Sequence, residues 1–529
     1  MTKLFRVGEA KAGDASVGMY LVYPQGWEER SSAREKLRRT VARAIQTYRA
    51  GDARWIAVLL DRSRKSDEAE FIIPRVRQSG LGTVRAVINL RRPTRYHIDL
   101  LNDLRVRPGV TLAELAREWG RALSVEMVTK RFYEEFRELR DAVVAALLKH
   151  NPGNPELVGK DPAKDTTFDA QLKAFGTRQL SRLLFLWFLQ QKRWLGAEEP
   201  GEGSRAFLAD LFRRHKEKGG GDNGYFNDVL VPLFFDGLGR RLRDSWHMKV
   251  RAEIGGEVPY LGGGLFRAGA DEFEARLFDL GDDGRPRRRV SLPDDLFDPL
   301  KDQPAPGGRG RNKSARTVLG LLMNYRFTTQ ESTPDDQSLD PDPEMLGKVF
   351  ENLYQGDERH KTGAYYTPRE VVRYMCREAL DGYLREQTEI AQEEINSIRE
   401  SATDWTDAPG TFDPATADQL INALERVTVL DPAVGSGAFL VGTLQEIVLL
   451  RRGIVQLLRG VPFDRASLEV AEWKQRTISH NLYGVDINPT AVEICQLRLW
   501  LSMMVDLEVS SFLDIHALPK LDLRIVAGD

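Results

Sequence analysis

The sequence predicts a multidomain α/β protein, and three observations carry that prediction. At 529 residues the chain is longer than one hydrophobic core organises, at roughly 100 to 200 residues per domain. Its middle stretch spaces apolar residues at the helical period. Residues 427–529 alternate strand-like runs with helix-like ones, the pattern of an open sheet flanked by helices. With 42% hydrophobic and 29% charged residues, the balance is that of a globular chain and not of a disordered or fibrous one. No apolar run reaches the roughly 18 residues of a membrane span and no signal peptide follows Met1, so the expected address is the cytoplasm. Cys376 and Cys495 each stand without a Cys or His at ligand spacing. They read as reduced packing residues, and no metal site is expected.

The first domain spans residues 1–110. Val17–Tyr23 and Trp55–Leu60 read as strands because β-branched and aromatic residues cluster in them, and Ala33–Arg49 between them reads as a basic amphipathic helix. A mainly helical connector domain follows over residues 111–341. In it Leu112, Leu115, Trp119, Phe132, Phe136 and Val143 recur on helical faces. Leu183–Leu189 is apolar all round and too short to cross a bilayer, so a buried central helix is expected there. The Pro/Gly/Arg-rich residues 304–311 mark a loop, but Lys313-Ser314 follows Asn312 and not a glycine, so the spacing of a phosphate-binding loop is missing. Residues 1–150 carry 29 Lys+Arg against 19 Asp+Glu, within a chain whose net charge is −2. A basic first third suits contact with a phosphate backbone, and it also suits a solvated Arg-rich surface. Glu9-Ala10-Lys11 is the one match in that domain to the Glu-x-Lys of a metal-dependent nuclease, and with no acid ahead of it the match reads as chance.

The residues that point to chemistry lie in the third domain, 342–529. Val427–Leu430 reads as a strand, Asp431-Pro-Ala-Val-Gly-Ser-Gly437 as a tight turn and Ala438–Val448 as an apolar helix. Gly435 and Gly437 allow positive φ and close approach of a ligand, beside the free N–H groups of a helix start. A dinucleotide turn would have glycine where Leu440 stands, and the Asp431 carboxylate would repel a pyrophosphate. That carboxylate suits a ligand carrying an ammonium and a sulfonium, as S-adenosylmethionine does. A second strand-like run, Asn481–Val485, ends in Asp486, placed to hold a ribose diol; the 55 positions separating it from Asp431 predict a helical insertion. A third, Leu523–Val526, leads to Asp529, whose carboxylate would accept from an adenine amino group. Three successive strands ending in acids mark the ligand edge of an open α/β sheet.

Further residues carry a family resemblance. Asp342–Asn352, Thr362-Gly-Ala-Tyr-Tyr-Thr-Pro368 with the helix after it, Asp431–Phe439, Asp486–Pro489 and Gly528-Asp529 make residues 342–529 resemble the start of the catalytic domain of adenine-specific DNA methyltransferases. The family is that of type IIG restriction-modification and related phage-defence enzymes, and it implies a Rossmann-like domain and S-adenosyl-L-methionine as cofactor. The resemblance implies that Tyr366, Thr367 and Pro368 touch the methionine carboxylate, and that Asp431, Ala433 and the turn through Gly435 and Gly437 hold the amino-acid part. Asp486 would hold the ribose, Ile487 one adenine face and Asp529 the adenine edge. Thr367 and Pro368 also read as an N-cap and a first helical residue, and both readings can hold together.

In this family an Asn/Asp-Pro-Pro-aromatic motif after the fourth strand grips a flipped-out adenine. Neither Asn-Pro-Pro nor Asp-Pro-Pro occurs in the chain, so no residue is assigned a catalytic role. The resemblance therefore implies a domain truncated before that motif, at its third strand. Its expected partners are double-stranded DNA and a second polypeptide, or missing carboxy-terminal half, that brings the motif and target recognition. The alternative expectation is a non-catalytic DNA- or cofactor-sensing subunit of a defence complex.

Overall fold

The computed structural model describes residues 3–12, 15–23, 37, 38, 40–45, 52–60, 67–77, 80–91, 93–107, 109–241, 244–262, 264–269, 271–301, 317–327, 336–340, 345, 349, 367, 369–403, 412–460, 468–507, 519, 521 and 523–528. The chain divides into two compact units, Met1–Phe136 with Asp302–Leu346 and Arg137–Lys301 with Gly347–Asp529.

The first unit is built on a six-stranded sheet: β1 (Lys3–Ala12), β2 (Ala15–Tyr23), β3 (Asp52–Leu60), β4 (Glu68–Arg77), β5 (Gly80–Asn89) and β6 (Asp336–Ser338), side by side in that order. Neighbours run antiparallel except β2–β3 and β5–β6, which are parallel. A parallel pair needs a crossover, and helical residues 40–45 lie in the one between β2 and β3. Alternation decides what it covers: Tyr20 and Val22, then Trp55, Ala57 and Leu59, point to one face, where Val41, Ala42 and Ile45 bury against them. Arg38 on the same crossover pairs at 2.9 Å with Glu70 of β4, both nearly inaccessible. The two strands expected at 17–23 and 55–60 are present and longer than expected. α1 (Arg95–Asp103) follows, capped by Thr94, then α2 (Leu112–Ala122), opened by a capping box of Thr111 with Glu114.

α3 (Val125–His150) and α4 (Thr166–Gln191) lead into the helical part of the second unit. The buried central helix expected around 183–189 is the second half of α4, where every residue from Phe175 to Gln190 is buried. Arg182, with no exposed surface, donates to both oxygens of the equally buried Glu274 at 2.7 and 3.1 Å and to the Leu265 carbonyl at 2.7 Å. A buried guanidinium without such partners would cost several kcal/mol, about 3 to 5 when one partner is removed. α5 (Phe207–Glu217), π-helical turns at Phe226–Leu230 and Leu233–Leu238, α6 (Ser245–Ile254) and α7 (Glu272–Phe278) belong to this helical part, and α8 (Val318–Asn324) falls within the residues of the first unit.

The rest of the second unit is α9 (Arg369–Thr388), α10 (Gln392–Thr403), α11 (Pro414–Arg426), β7 (Val429–Asp431), α12 (Ala438–Arg459), α13 (Leu468–His480), β8 (Leu482–Asp486), α14 (Pro489–Asp506) and β9 (Ile525–Ala527). β7, β8 and β9 form a parallel sheet in that order. The helical insertion expected between the two acids is α12 with α13. Leu380, Ile395, Ile398, Leu424, Ile447 and Leu450 form a shared core for α9, α10, α11 and α12. Gly453 allows the close crossing there, since a Cβ at that position would lie 2.1 Å from the Ile398 carbonyl oxygen. The mixed α/β organisation matches the sequence expectation. The third strand sits slightly later than expected: Leu523 and Arg524 form a turn, fixed by the Arg524 and Ile525 N–H bonds to the Leu521 carbonyl, and the strand begins at Ile525. Among the described residues no helix is long and apolar enough to cross a membrane.

Candidate functional site

Local chemistry fixes where the first two parallel strands begin and end. The Asn481 amide donates to the Val427 and Glu425 carbonyls at 2.7 and 3.1 Å, and its own carbonyl accepts from Val429 N–H at 2.8 Å. It thus ends α11 and sets the register of β7 on β8. In that register Asp431 pairs with Gly484, and Asp486 pairs with Ala527. The acid of β8 therefore stands two residues beyond that of β7 along the shared strand direction, a step that offsets the two carboxylates along the sheet edge.

The turn after β7 passes between them. Val434 N–H donates to the Val485 carbonyl at 2.8 Å, docking the turn on β8, and Gly437 N–H closes it on the Val434 carbonyl at 2.8 Å. Gly435 and Gly437 sit at φ of +50° and +82°, the left-handed region that favours glycine. A Cβ on Gly435 would meet nothing within 4 Å among the described residues, which leave the turn open at that point; a Cβ on Gly437 would lie 2.5 Å from the Cys495 sulfur.

Asp486 is held at both oxygens. Oδ2 accepts from Gly435 N–H and Oδ1 from Asn488 N–H, each at 2.8 Å, while its carbonyl accepts from Gly528 N–H at 2.9 Å. Each carboxylate oxygen keeps further acceptor capacity. Asn488 then caps α14, its side chain accepting from Thr490 N–H at 3.0 Å, with Pro489 as the first helical residue. Asp431 accepts from Ala433 N–H at 3.1 Å. Burial pushes its carboxyl up, the Ala433 bond draws it back and the neighbouring Asp486 charge adds to the rise, leaving it above the usual aspartate range. Ile487, 71% exposed, stands beside Asp486 as an uncovered apolar surface.

Asp431, Ala433, Gly435, Gly437, Asp486 and Ile487 thus lie on two neighbouring strand ends and the turn that bridges them. Thr367 is half-buried just ahead of α9, whose Cys376 thiol lies 3.6 Å from the Phe439 carbonyl in the first turn of α12. Tyr366, Pro368 and Asp529 lie outside the described residues, as does most of the 342–352 motif. Both cysteines are buried free thiols, as expected, and burial pushes the Cys495 thiol up to about 12.

Sequence reasoning missed two residues of α14. Cys495 underlies Gly437, and Arg498, buried one turn later, donates from Nη1 to the Ser436 carbonyl at 2.7 Å and to its hydroxyl at 3.1 Å. Their spacing of three puts them on one helix face, which was the available signal.

Residues 410–519 match the family model described as MmeI, DNA-methyltransferase domain. Over 424 residues the chain is 27% identical to a putative type II restriction enzyme and methyltransferase of Methanocaldococcus jannaschii, RM.MjaORFECS2P, a match covering 76% of this chain. The match takes in 32% of that relative, so the chain spans about a third of its length. Among solved structures, the cryoEM structure of a DrdV–DNA complex is similar at 12% identity and a TM-score of 0.25, covering 99% of this chain and 37% of that one. A modification subunit of a putative type I restriction enzyme from Vibrio vulnificus YJ016 is similar at 14% identity and a TM-score of 0.23, covering 69% and 54%. Residues 410–519 are thus similar to a DNA-methyltransferase domain, and 76% of the chain is similar to part of a putative type II restriction enzyme and methyltransferase.

Proposed function

We propose that this chain is the cofactor-binding part of a DNA adenine amino-methyltransferase of a restriction-modification or phage-defence system, with a Rossmann-like domain over residues 342–529. On this reading residues 1–110 are a basic α/β domain and residues 111–341 a helical connector, with double-stranded DNA as partner. The observation that carries the reading is the pair Asp431 and Asp486 at the ends of two parallel strands, flanking a turn whose Gly435 has no described residue within 4 Å of a Cβ placed on it. That donor set fits S-adenosylmethionine: Asp431 and the turn would hold the cationic amino-acid part, Asp486 the ribose hydroxyls and the exposed Ile487 one adenine face. The assignment of Tyr366, Thr367, Pro368 and Asp529 to the same ligand rests on the motif resemblance. When bound, the cofactor supplies an electrophilic methyl group on a sulfonium. The protein's part here is to bind and orient it, with Asp486 itself fixed by two backbone N–H groups.

Methyl transfer on this reading needs an Asn/Asp-Pro-Pro-aromatic motif that the 529 residues do not contain, supplied by a further segment or a second polypeptide. The same observation supports a second reading, a non-catalytic DNA- or cofactor-sensing subunit. Calorimetry with S-adenosylmethionine tests the shared core of both. Binding by the wild-type chain that is lost in Asp486→Ala is expected, and equal binding by the two proteins overturns the pocket assignment. Addition of a polypeptide bearing the motif separates the readings, since only the split enzyme then methylates DNA.

A further inference from the structure

Arg498 is 6% exposed, and among the described residues its recorded hydrogen bonds go to a single residue, through Nη1 to the Ser436 carbonyl and hydroxyl. A buried guanidinium is costly to desolvate and is ordinarily matched by a carboxylate. Among the described residues its Nε is buried without a partner. The charge is committed to one peptide of the glycine turn.

That peptide is the one most in need of it. Ser436 lies between two glycines at positive φ, and glycine accepts either sign of φ at little steric cost. Sterics alone therefore do little to fix the 436–437 peptide, and hydrogen bonds on its two sides do so: Gly437 N–H donates to the Val434 carbonyl at 2.8 Å, and Arg498 holds the other side by drawing the Ser436 carbonyl inward. The helix that carries Arg498 is a firm post: Arg178 of α4 grips Glu493 near its start at 2.6 and 3.1 Å, and Lys192 donates to the Leu507 carbonyl at its end at 3.1 Å.

We infer that Arg498 is a positioning residue that holds the Gly435–Gly437 turn in its ligand-receiving shape, and so governs recognition of the amino-acid part of the cofactor. The inference rests on the cofactor reading of this turn. Ribose recognition is assigned to Asp486, which accepts from Gly435 N–H of the turn at one oxygen but keeps its Asn488 anchor at the other whatever the turn does. Arg498 should therefore act mainly on the amino-acid half of the ligand.

The test compares two ligands by calorimetry on the full chain: S-adenosylhomocysteine, which has the amino-acid part, and methylthioadenosine, which lacks it. Arg498→Met is expected to weaken S-adenosylhomocysteine about tenfold or more, the scale of a charge-assisted hydrogen bond, and methylthioadenosine by about twofold or less. Arg498→Lys, which can still donate to the carbonyl, should recover part of the loss. Equal weakening of both ligands by Arg498→Met and Arg498→Lys, or no weakening by either, overturns the inference. Failure of the wild-type chain to bind either ligand instead overturns the cofactor reading on which it rests.

Discussion

Gly437 lies directly over Cys495: a methyl group on its α-carbon would sit 2.5 Å from the sulfur, and its φ of +82° is one that side-chain-bearing residues rarely adopt. Two separate penalties therefore fall on Gly437→Ala, about 1 to 2 kcal/mol for the left-handed backbone and about 1 to 3 kcal/mol for overpacking. They can be told apart. Cys495→Ala removes the sulfur, so chemical denaturation of the double variant should recover the overpacking share and leave the backbone share. Full recovery, or none, would refute this division.

The nearness of Asp431 and Asp486 makes binding of a cationic ligand depend on pH. Burial, partly offset by Ala433 N–H and reinforced by Asp486, raises the Asp431 carboxyl in the free protein. For a carboxyl raised on folding, its contribution to stability is present below the unfolded value of about 3.9 and is lost as pH rises through the folded value. A cation beside it reverses this preference by favouring the ionised form. Affinity for S-adenosylmethionine should accordingly rise with pH across a window that opens near the ordinary aspartate value of about 3.9 and extends upward. Asp431→Asn should flatten that rise. Calorimetry across mildly acidic pH checks it, and an unchanged slope in the variant counts against Asp431 as the group.

The turn and both acids were legible because a short strand, a small-residue turn and an acid are local features. The first sheet was legible only through β2 and β3. β4 contains Pro74, which argues against a strand from sequence alone, yet β3 pairs with β4 only as far as Ile72, so no β3 bond is forgone at Pro74. β1 and β5 carry glycines and charges and become strands through their partners. On α14 the helix itself was readable. Which of its residues meet the turn depends on how the helix packs, so the sequence marked Cys495 only as a packing residue and did not mark Arg498.

The joint between α4 and α14 should fail asymmetrically. Arg178 is almost fully buried and is held by Glu493, by Asp271 at 2.7 Å and more distantly by Glu274 at 3.6 Å. Removing the arginine leaves several carboxylates without their shared cation, and a loss of about 3 to 5 kcal/mol is expected for Arg178→Ala. Glu493→Ala leaves the arginine with Asp271, and should cost about 1 to 2 kcal/mol. Urea denaturation of each variant gives the comparison. Equal losses would mean that Glu493 alone satisfies the guanidinium.

Asp381 offers the opposite pH behaviour to Asp431. Burial would raise its carboxyl, but hydrogen bonds from Arg399 and Gln392 outweigh burial and hold it below the usual range. Arg399 donates to both of its oxygens, Nη1 to Oδ2 at 2.8 Å, and also to Glu446 at 3.1 Å, tying α9, α10 and α12 together. A carboxyl lowered on folding contributes stability above its unfolded value, and that contribution is lost as pH falls through the folded value. Asp381→Asn should therefore cost about 2 to 3 kcal/mol at neutral pH, less than a fully orphaned buried charge because Glu446 remains. It should also weaken the acid dependence of unfolding below about pH 4. Thermal melts from neutral to acid pH decide the matter: parallel curves for variant and wild type would show that Asp381 is not the titrating group, whereas curves that converge as pH falls are the expected result.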